Sequence, residues 1–357
     1  MTDNLFDRLA DLFRSPGPVN WRLAREIAES SAGNVEPVDP WLDEEYRDLA
    51  ATAVRYVDAA SPLDPVTAAV SPRILDRRGW ASAAADGLAY LAEPLAAKFG
   101  AEGPAPEMVQ MLAPALIGLQ VGGMVGALSH RIMGGFDVGL PPARPERPFY
   151  LVPNIEEFAG EHDLDRRQVR LWVAMHETTH VAAMAEPWVR EHAVKSMSAF
   201  VASLEVDEEA MTTRLEMLQD PEAMQRLVEG GPAMPPLLAA RGGAEQLEDV
   251  RTLMSIAEGY AEFLVDRCVG NLIPQAAALR EAVDRRRAEP APGEQMLAQM
   301  MGLELDHARY RLGTTFCQEV ARRWGDEAVH RLWESPATLP RSGDLADPVA
   351  WAARALL

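Results

Sequence analysis

The chain has 357 residues, of which 48% are hydrophobic and 25% charged, and a net charge of −20. This is a globular composition, long enough for one large core or two closely packed lobes. The acidic balance disfavours a phosphate backbone or an anionic membrane as partner. Two cysteines, Cys268 and Cys317, are too few for a disulfide-stapled secreted domain, so a reducing cytoplasm is the expected compartment. The opening MTDNLFDRLADLFRSPG has early acidic residues and no apolar h-region, so it does not read as a secretory signal.

Helical periodicity dominates the chain. A first stripe, Leu5, Phe6, Leu9, Leu12 and Phe13, predicts a helix over 3–13, which Ser15-Pro16-Gly17-Pro18 ends. Helices are expected over 19–32, 42–60 and 76–99, with proline- and glycine-containing connections between them. Residues 108–129 carry no charge and are long enough to span a bilayer. Gln110, Gln120, Pro114 and several glycines lower the hydropathy, so a buried central helix is expected instead. Gly118, Gly122 and Gly126 form one stripe where a second helix can approach closely. In the proline-rich stretch 136–154, residues 149–152 are the best short strand. No βαβ alternation appears, so a parallel sheet is not expected.

Further helices are expected at about 165–185, 189–218, 244–268, 295–325 and 326–334, with 219–243 and 286–294 as loops. The tail is irregular before a last short helix. The whole reads as a mainly α, multi-helix protein with at most a small β element. It divides into an N-terminal helical lobe, 1–150, packed on a second helical lobe, 151–357.

The helix over 165–185 contains His176-Glu177-Thr178-Thr179-His180, an H-E-x-x-H pattern. Residues i and i+4 share a helix face, so the two imidazoles can grip one Zn²⁺. Glu177 then sits beside the metal, where it can take a proton from an activated water. A catalytic zinc needs a third protein ligand. The metzincin continuation is absent, because Ala183 holds its glycine position and Glu186 its last histidine position. Downstream, AEGYAEFLVD supplies Glu258/Glu262 and Glu262/Asp266 at i,i+4 spacing. The first acid of either pair can bind the metal, and the second can accept the other ring N–H of a ligand histidine. The small Gly259 and Ala261 would let the two site helices approach.

Glu258-Gly259-Tyr260-Ala261 resembles the E-G-x-A segment that carries the zinc glutamate in the aminopeptidase group of gluzincins, though here it follows the second histidine much later. That resemblance favours Glu258 as the third ligand. HETTH, SIAEGYAEFLVD, ARYRLGTTFCQEV and RLWESPATLP together, with GGFDVGLP and FYLVPNI, resemble a bacterial family of zincin-like metallopeptidases over most of the chain. Some actinobacterial members carry a label that associates them with coenzyme biosynthesis, and no such role is carried over. The resemblance implies a mostly helical zincin-like fold, a zinc site at His176 and His180, and Glu177 as general base. The expected activity is zinc-dependent hydrolysis of a peptide or protein substrate.

Peptide hydrolysis passes through an oxyanion, which a donor beside the metal stabilises. Tyr310 and Arg311 are the candidates, with His307 one turn earlier; Tyr260 lies in the ligand segment but two residues past Glu258. His130, His162, His192 and His330 follow no ligand spacing with the motif. Trp172, Trp324, Trp333 and Trp351 read as core or docking residues, and Met296, Met300 and Met301 as apolar packing. Two rivals remain. The E-x-x-H triplets ending at His180, His307 and His330, with Glu258 or Glu262, suit a helical di-iron carboxylate protein, which leaves His176 without a task. A zinc-binding scaffold that serves protein partners without catalysis is the other.

Overall fold

The computed structural model describes residues 17–33, 37–64, 71–98, 107–137, 147–206, 238–240, 244–270, 272–301 and 307–357. The helix expected over 3–13 lies outside them, as does most of 207–243. The N-terminal helices are α1 (Trp21–Ser31), α2 (Pro40–Ala60), α3 (Arg77–Gly87), α4 (Ala89–Ala97) and α5 (Glu107–Leu128). Asn20 caps α1 by accepting from the Leu23 N–H at 3.1 Å, and Asp39 caps α2 ahead of Pro40. The single helix expected over 76–99 is broken at Leu88. Gly87 is a poor helix former, and Pro94 inside α4 cannot donate to the turn before it.

Helix α5, uncharged after Glu107, packs against α1 but leaves Leu116 and Leu119 exposed, and no helix among the described residues is long and apolar enough to cross a membrane. Its glycine stripe receives α1. A Cβ on Gly118 or Gly122 would stand 2.6 Å from the Asn20 carbonyl oxygen or 2.5 Å from that of Ala24.

Two three-residue strands, β1 (Arg73–Leu75) and β2 (Phe149–Leu151), pair in parallel with Ile74 opposite Tyr150. This corrects the expectation of no parallel pairing. The strands are too short to show alternation, and the crossover between them runs through α3, α4 and α5. Gly134 bridges to Tyr150, and the Leu151 N–H donates to the Met133 carbonyl at 2.9 Å. The buried Asn154 donates to the Ser129 and Ile132 carbonyls. The segment after α5 is thereby tied to β2, which proves decisive for the site.

The second half runs α6 (Val152–Glu161), α7 (Arg166–Ala185), α8 (Pro187–Ser203), β3 (Leu204–Val206), β4 (Leu238–Ala240), α9 (Ala244–Val269), α10 (Ala276–Ala288), α11 (Pro292–Met301), α12 (His307–Trp324), α13 (Asp326–His330) and α14 (Pro348–Ala355). β3 and β4 pair antiparallel, where a helix and a loop were expected. The expected loop at 286–294 shrinks to three residues, because α10 continues to Ala288 and Pro292 opens α11. Asp165 caps α7 by accepting from the Gln168 N–H at 2.9 Å. Helix α7 is buried on nearly all sides, between α2, α6, α8 and α9. Both hydrophobic clusters of the core draw residues from before and after position 150: Val121 and Leu253 share one, Tyr46 and Val265 the other.

Candidate metal centre

Trp172, His176 and His180 recur every four residues and share one face of α7. The Trp172 ring stacks on the His176 ring at 4.9 Å and 20°, and Phe136 stacks on His180 at 4.6 Å and 13°. The two imidazoles are thus held between flat apolar walls. Helix α9 brings Glu258 against them. Its Oε1 lies 2.9 Å from Nε2 of His176 and its Oε2 lies 3.2 Å from Nε2 of His180. All three residues are buried, and one ligand atom from each lies within 4.8 Å of the others.

The ionisation of these groups follows from their neighbours. Burial alone would lower the His176 pKa, but the Glu258 carboxylate overrides it and pushes the ring up to about 9. Burial and the neighbouring His176 depress His180. Against its own burial, Arg287 and His176 hold the Glu258 carboxyl well below the usual carboxylate range. Two nitrogens and an anionic oxygen therefore converge on one buried point, where a bound metal ion would compete with protons for them. This donor set and its spacing fit a divalent metal.

Glu177, on the same helix, is held by backbone donors of the segment that stacks Phe136 on His180. Its Oε2 accepts from the Gly135 N–H at 2.7 Å and its Oε1 from the Phe136 N–H at 3.4 Å. A Cβ on Gly134 would stand 2.2 Å from Oε1, so only glycine admits the carboxylate there. Burial, reinforced by the Asp137 carboxylate, pushes the Glu177 carboxyl up to about 8, with His176 and the two backbone donors partly opposing. Asp137 is itself held by the Met133 N–H at 2.6 Å.

The other predicted residues are distributed as follows. Glu262 is buried but faces arginines, with Oε1 3.5 Å from Arg287 and Oε2 3.6 Å from Arg280. Asp266 pairs with Arg280. Neither accepts from a ligand histidine as expected, because guanidinium groups offer the stronger charge-assisted partner. Gly259 does not face α7. It admits α12 instead, and a Cβ there would lie 2.2 Å from the Gly313 carbonyl carbon. Arg311 is exposed on α12, and the side chains of His307 and Tyr310 lie outside the described residues. Tyr260 is buried away from the metal centre and bonds Ser61 Oγ at 2.9 Å and His330 Nδ1 at 2.8 Å.

These placements bear on the di-iron arrangement. His330 is engaged by Tyr260, Glu327 is exposed, and Glu304 lies outside the described residues. Among the described residues, the group of His, Cys, Asp and Glu able to hold a metal is His176, His180 and Glu258.

Sequence reasoning missed Arg287, which donates to Glu258, because it falls in the stretch 286–294 expected to be a loop. It also gave no role to Gly134, Gly135, Phe136 and Asp137, seen only as part of a familiar segment. The run Arg285-Arg286-Arg287 at the end of an amphipathic stretch was the available signal.

A buried His-Glu-His set on one helix, with a glutamate delivered by a second, defines the zincin class of metal site. The chain belongs to the family of zincin-like metallopeptidases, whose model matches residues 19–352. A crystal structure of a proposed hydrolase with a novel fold from Chloroflexus aurantiacus is similar. It shares 22% identity at a TM-score of 0.68, over 94% of this chain and 98% of that one, which shows a common fold. No curated protein matches the sequence.

Proposed function

We propose that the protein is a zinc-dependent peptidase with His176, His180 and Glu258 as metal ligands and Glu177 as general base. The observation that carries this reading is Glu258, which comes from a separate helix to meet Nε2 of both motif histidines. The histidine and carboxylate donors match the ligand set of catalytic zinc. Zinc, when bound, supplies Lewis acidity that acidifies water and polarises a carbonyl.

The chain's own residues supply the rest. Glu177 accepts the proton of the attacking water on a carboxylate oxygen and delivers it to the departing amine nitrogen. The Gly135 and Phe136 N–H groups fix the direction of that carboxylate. Its raised pKa suits proton exchange near neutrality, and a nearby dication draws it back toward the ionised form. Trp172 and Phe136 keep the histidine rings in place and limit water around them. Arg287 orients Glu258 through one oxygen and leaves lone pairs for a metal.

A Glu177→Gln variant tests the assignment. It is expected to retain one zinc per chain by elemental analysis while cleavage of a mixed peptide pool falls about 10³-fold. Cleavage within about 10-fold of the parent would place the general base elsewhere.

A further inference from the structure

Beside the metal centre lies a small cleft bounded by Met133, Asp137, Trp172, Arg286, Arg287 and Glu294, with Arg131 at its edge. Three of its walls belong to the site already described: Trp172 stacks on His176, Arg287 bonds Glu258, and Asp137 acts on Glu177. The cleft therefore shares walls with the metal centre.

Its charges are unevenly spent. Arg287 is engaged by Glu258 and Glu262. Arg131 reaches Glu294 at 3.5 Å and donates to the Arg286 and Glu289 carbonyls. Asp137 is held by the Met133 N–H, and Glu294 also accepts from the Ala291 N–H. Arg286 is left. Among the described residues no carboxylate pairs with it, and its guanidinium lies over the Phe158 ring at 5.5 Å. That contact offers no lone pair to any of its five N–H donors. Burial lowers the Arg286 pKa, with Arg131 and Arg287 adding to the effect against Asp137 and Glu294. A half-buried cation beside two others gains when an anion arrives.

We infer that Arg286, flanked by Arg131, is the receptor for a substrate carboxylate in this cleft. The enzyme then takes peptides that carry a carboxylate close to the bond it cuts, either at the C-terminus or on an acidic side chain. Arg287 is taken up by Glu258 and Glu262, whereas Arg286, with no paired carboxylate among the described residues, offers a single fork suited to one carboxylate. The planar guanidinium also matches the carboxylate fork. This inference rests on the peptidase reading for its substrate, but its test does not need turnover.

The test is calorimetric binding to the full-length, zinc-loaded Glu177→Gln protein. Three pools of N-acetylated tetrapeptides serve as probes: free C-terminal acids, C-terminal amides, and amides with glutamate fixed at the last position. The free acids are expected to bind about 10-fold tighter than the amides, and Arg286→Ala to reduce that ratio to about one. Arg286→Lys keeps part of the preference, which separates lost charge from a damaged fold. If the glutamate amides match the free acids, the receptor reads a side-chain carboxylate; if they match the plain amides, it reads the chain terminus. Equal binding of all three pools, or a preference that survives Arg286→Ala, overturns the inference. A parent protein that holds no zinc or cleaves no peptide overturns the peptidase reading instead and leaves the binding preference in place.

Discussion

Two arginines set among glutamates show how similar chemistry serves two ends. Arg170 on α7 is bidentate to Glu156, at 2.6 Å through each contact, and also bonds Glu45. The Trp41 and Tyr46 rings lie beside it at 5.5 and 5.8 Å, and the Tyr46 hydroxyl donates to Glu156 at 3.2 Å. Its charge is matched by local partners, and the knot fastens α2 and α6 to α7. Arg287 instead divides itself between Glu258 and Glu262, and its surroundings keep orphans. Glu262 Oε2 and His180 Nδ1 are buried without a hydrogen-bond partner. Buried polar groups are normally satisfied. The saturated cluster is a rivet; the unsaturated one retains bonding capacity, which is what a site that must bind and release requires.

The sharpest break between the two comes from the acids. Glu258→Gln is expected to weaken zinc affinity by more than about 10³-fold in a chelator competition, because it removes a ligand. Glu262→Gln, four residues along the same face, should cost about 10-fold. Equal losses would move the third ligand to Glu262.

Next in size is the rivet itself. Arg170→Ala takes the main cation from Glu156 and Glu45 and should lower the unfolding free energy by about 3 kcal/mol in urea titrations. Zinc content at low temperature should not change. If it did, the two clusters would be one cooperative unit.

Gly134→Ala places a methyl where the Glu177 carboxylate stands. Cleavage should fall about 100-fold by misplacement of the base, with zinc retained. Rescue by Glu177→Asp, which withdraws the carboxylate by one methylene, would identify the clash as the cause.

The smallest effect marks the opposite limit, an exposed pair. Arg267 is bidentate to Asp326, at 2.8 Å through each contact, and both side chains are about half exposed. Arg267→Ala should cost no more than about 0.5 kcal/mol. The Arg267 guanidinium holds the Asp326 carboxyl below its ordinary value. A depressed folded-state pKa gives stability above the unfolded-state value and loses it as pH falls through the folded one. The difference between parent and variant should therefore be present at pH 7 and vanish at strongly acidic pH, in paired denaturation curves.

What was legible in the chain was whatever lies within one helix. The i,i+4 histidines and the acidic pairs of α9 are set by spacing along a single element. The glycine stripe of α5 was equally readable, because small residues at intervals of four announce a close neighbour. What spacing cannot encode is which face meets which partner. Gly259 was read as a clearance for α7, yet it admits α12, since a helix offers its small residues to whichever neighbour the whole fold delivers. Arg286 and Arg287 were hidden because charge and nearby prolines imitate a loop. The strands β1 and β3 were too short to show any period.

The path of the chain through the site has a kinetic consequence. Glu177 meets a backbone donor 42 residues earlier, and His176 meets Glu258 82 residues later. Local helices form first, while contacts across such separations wait for loop closure. Uptake of a metal at the proposed site is therefore expected to mark the completion of folding. In a refolding experiment the helical signal should recover before zinc is captured, and a chelator present from the start should leave the early phase untouched.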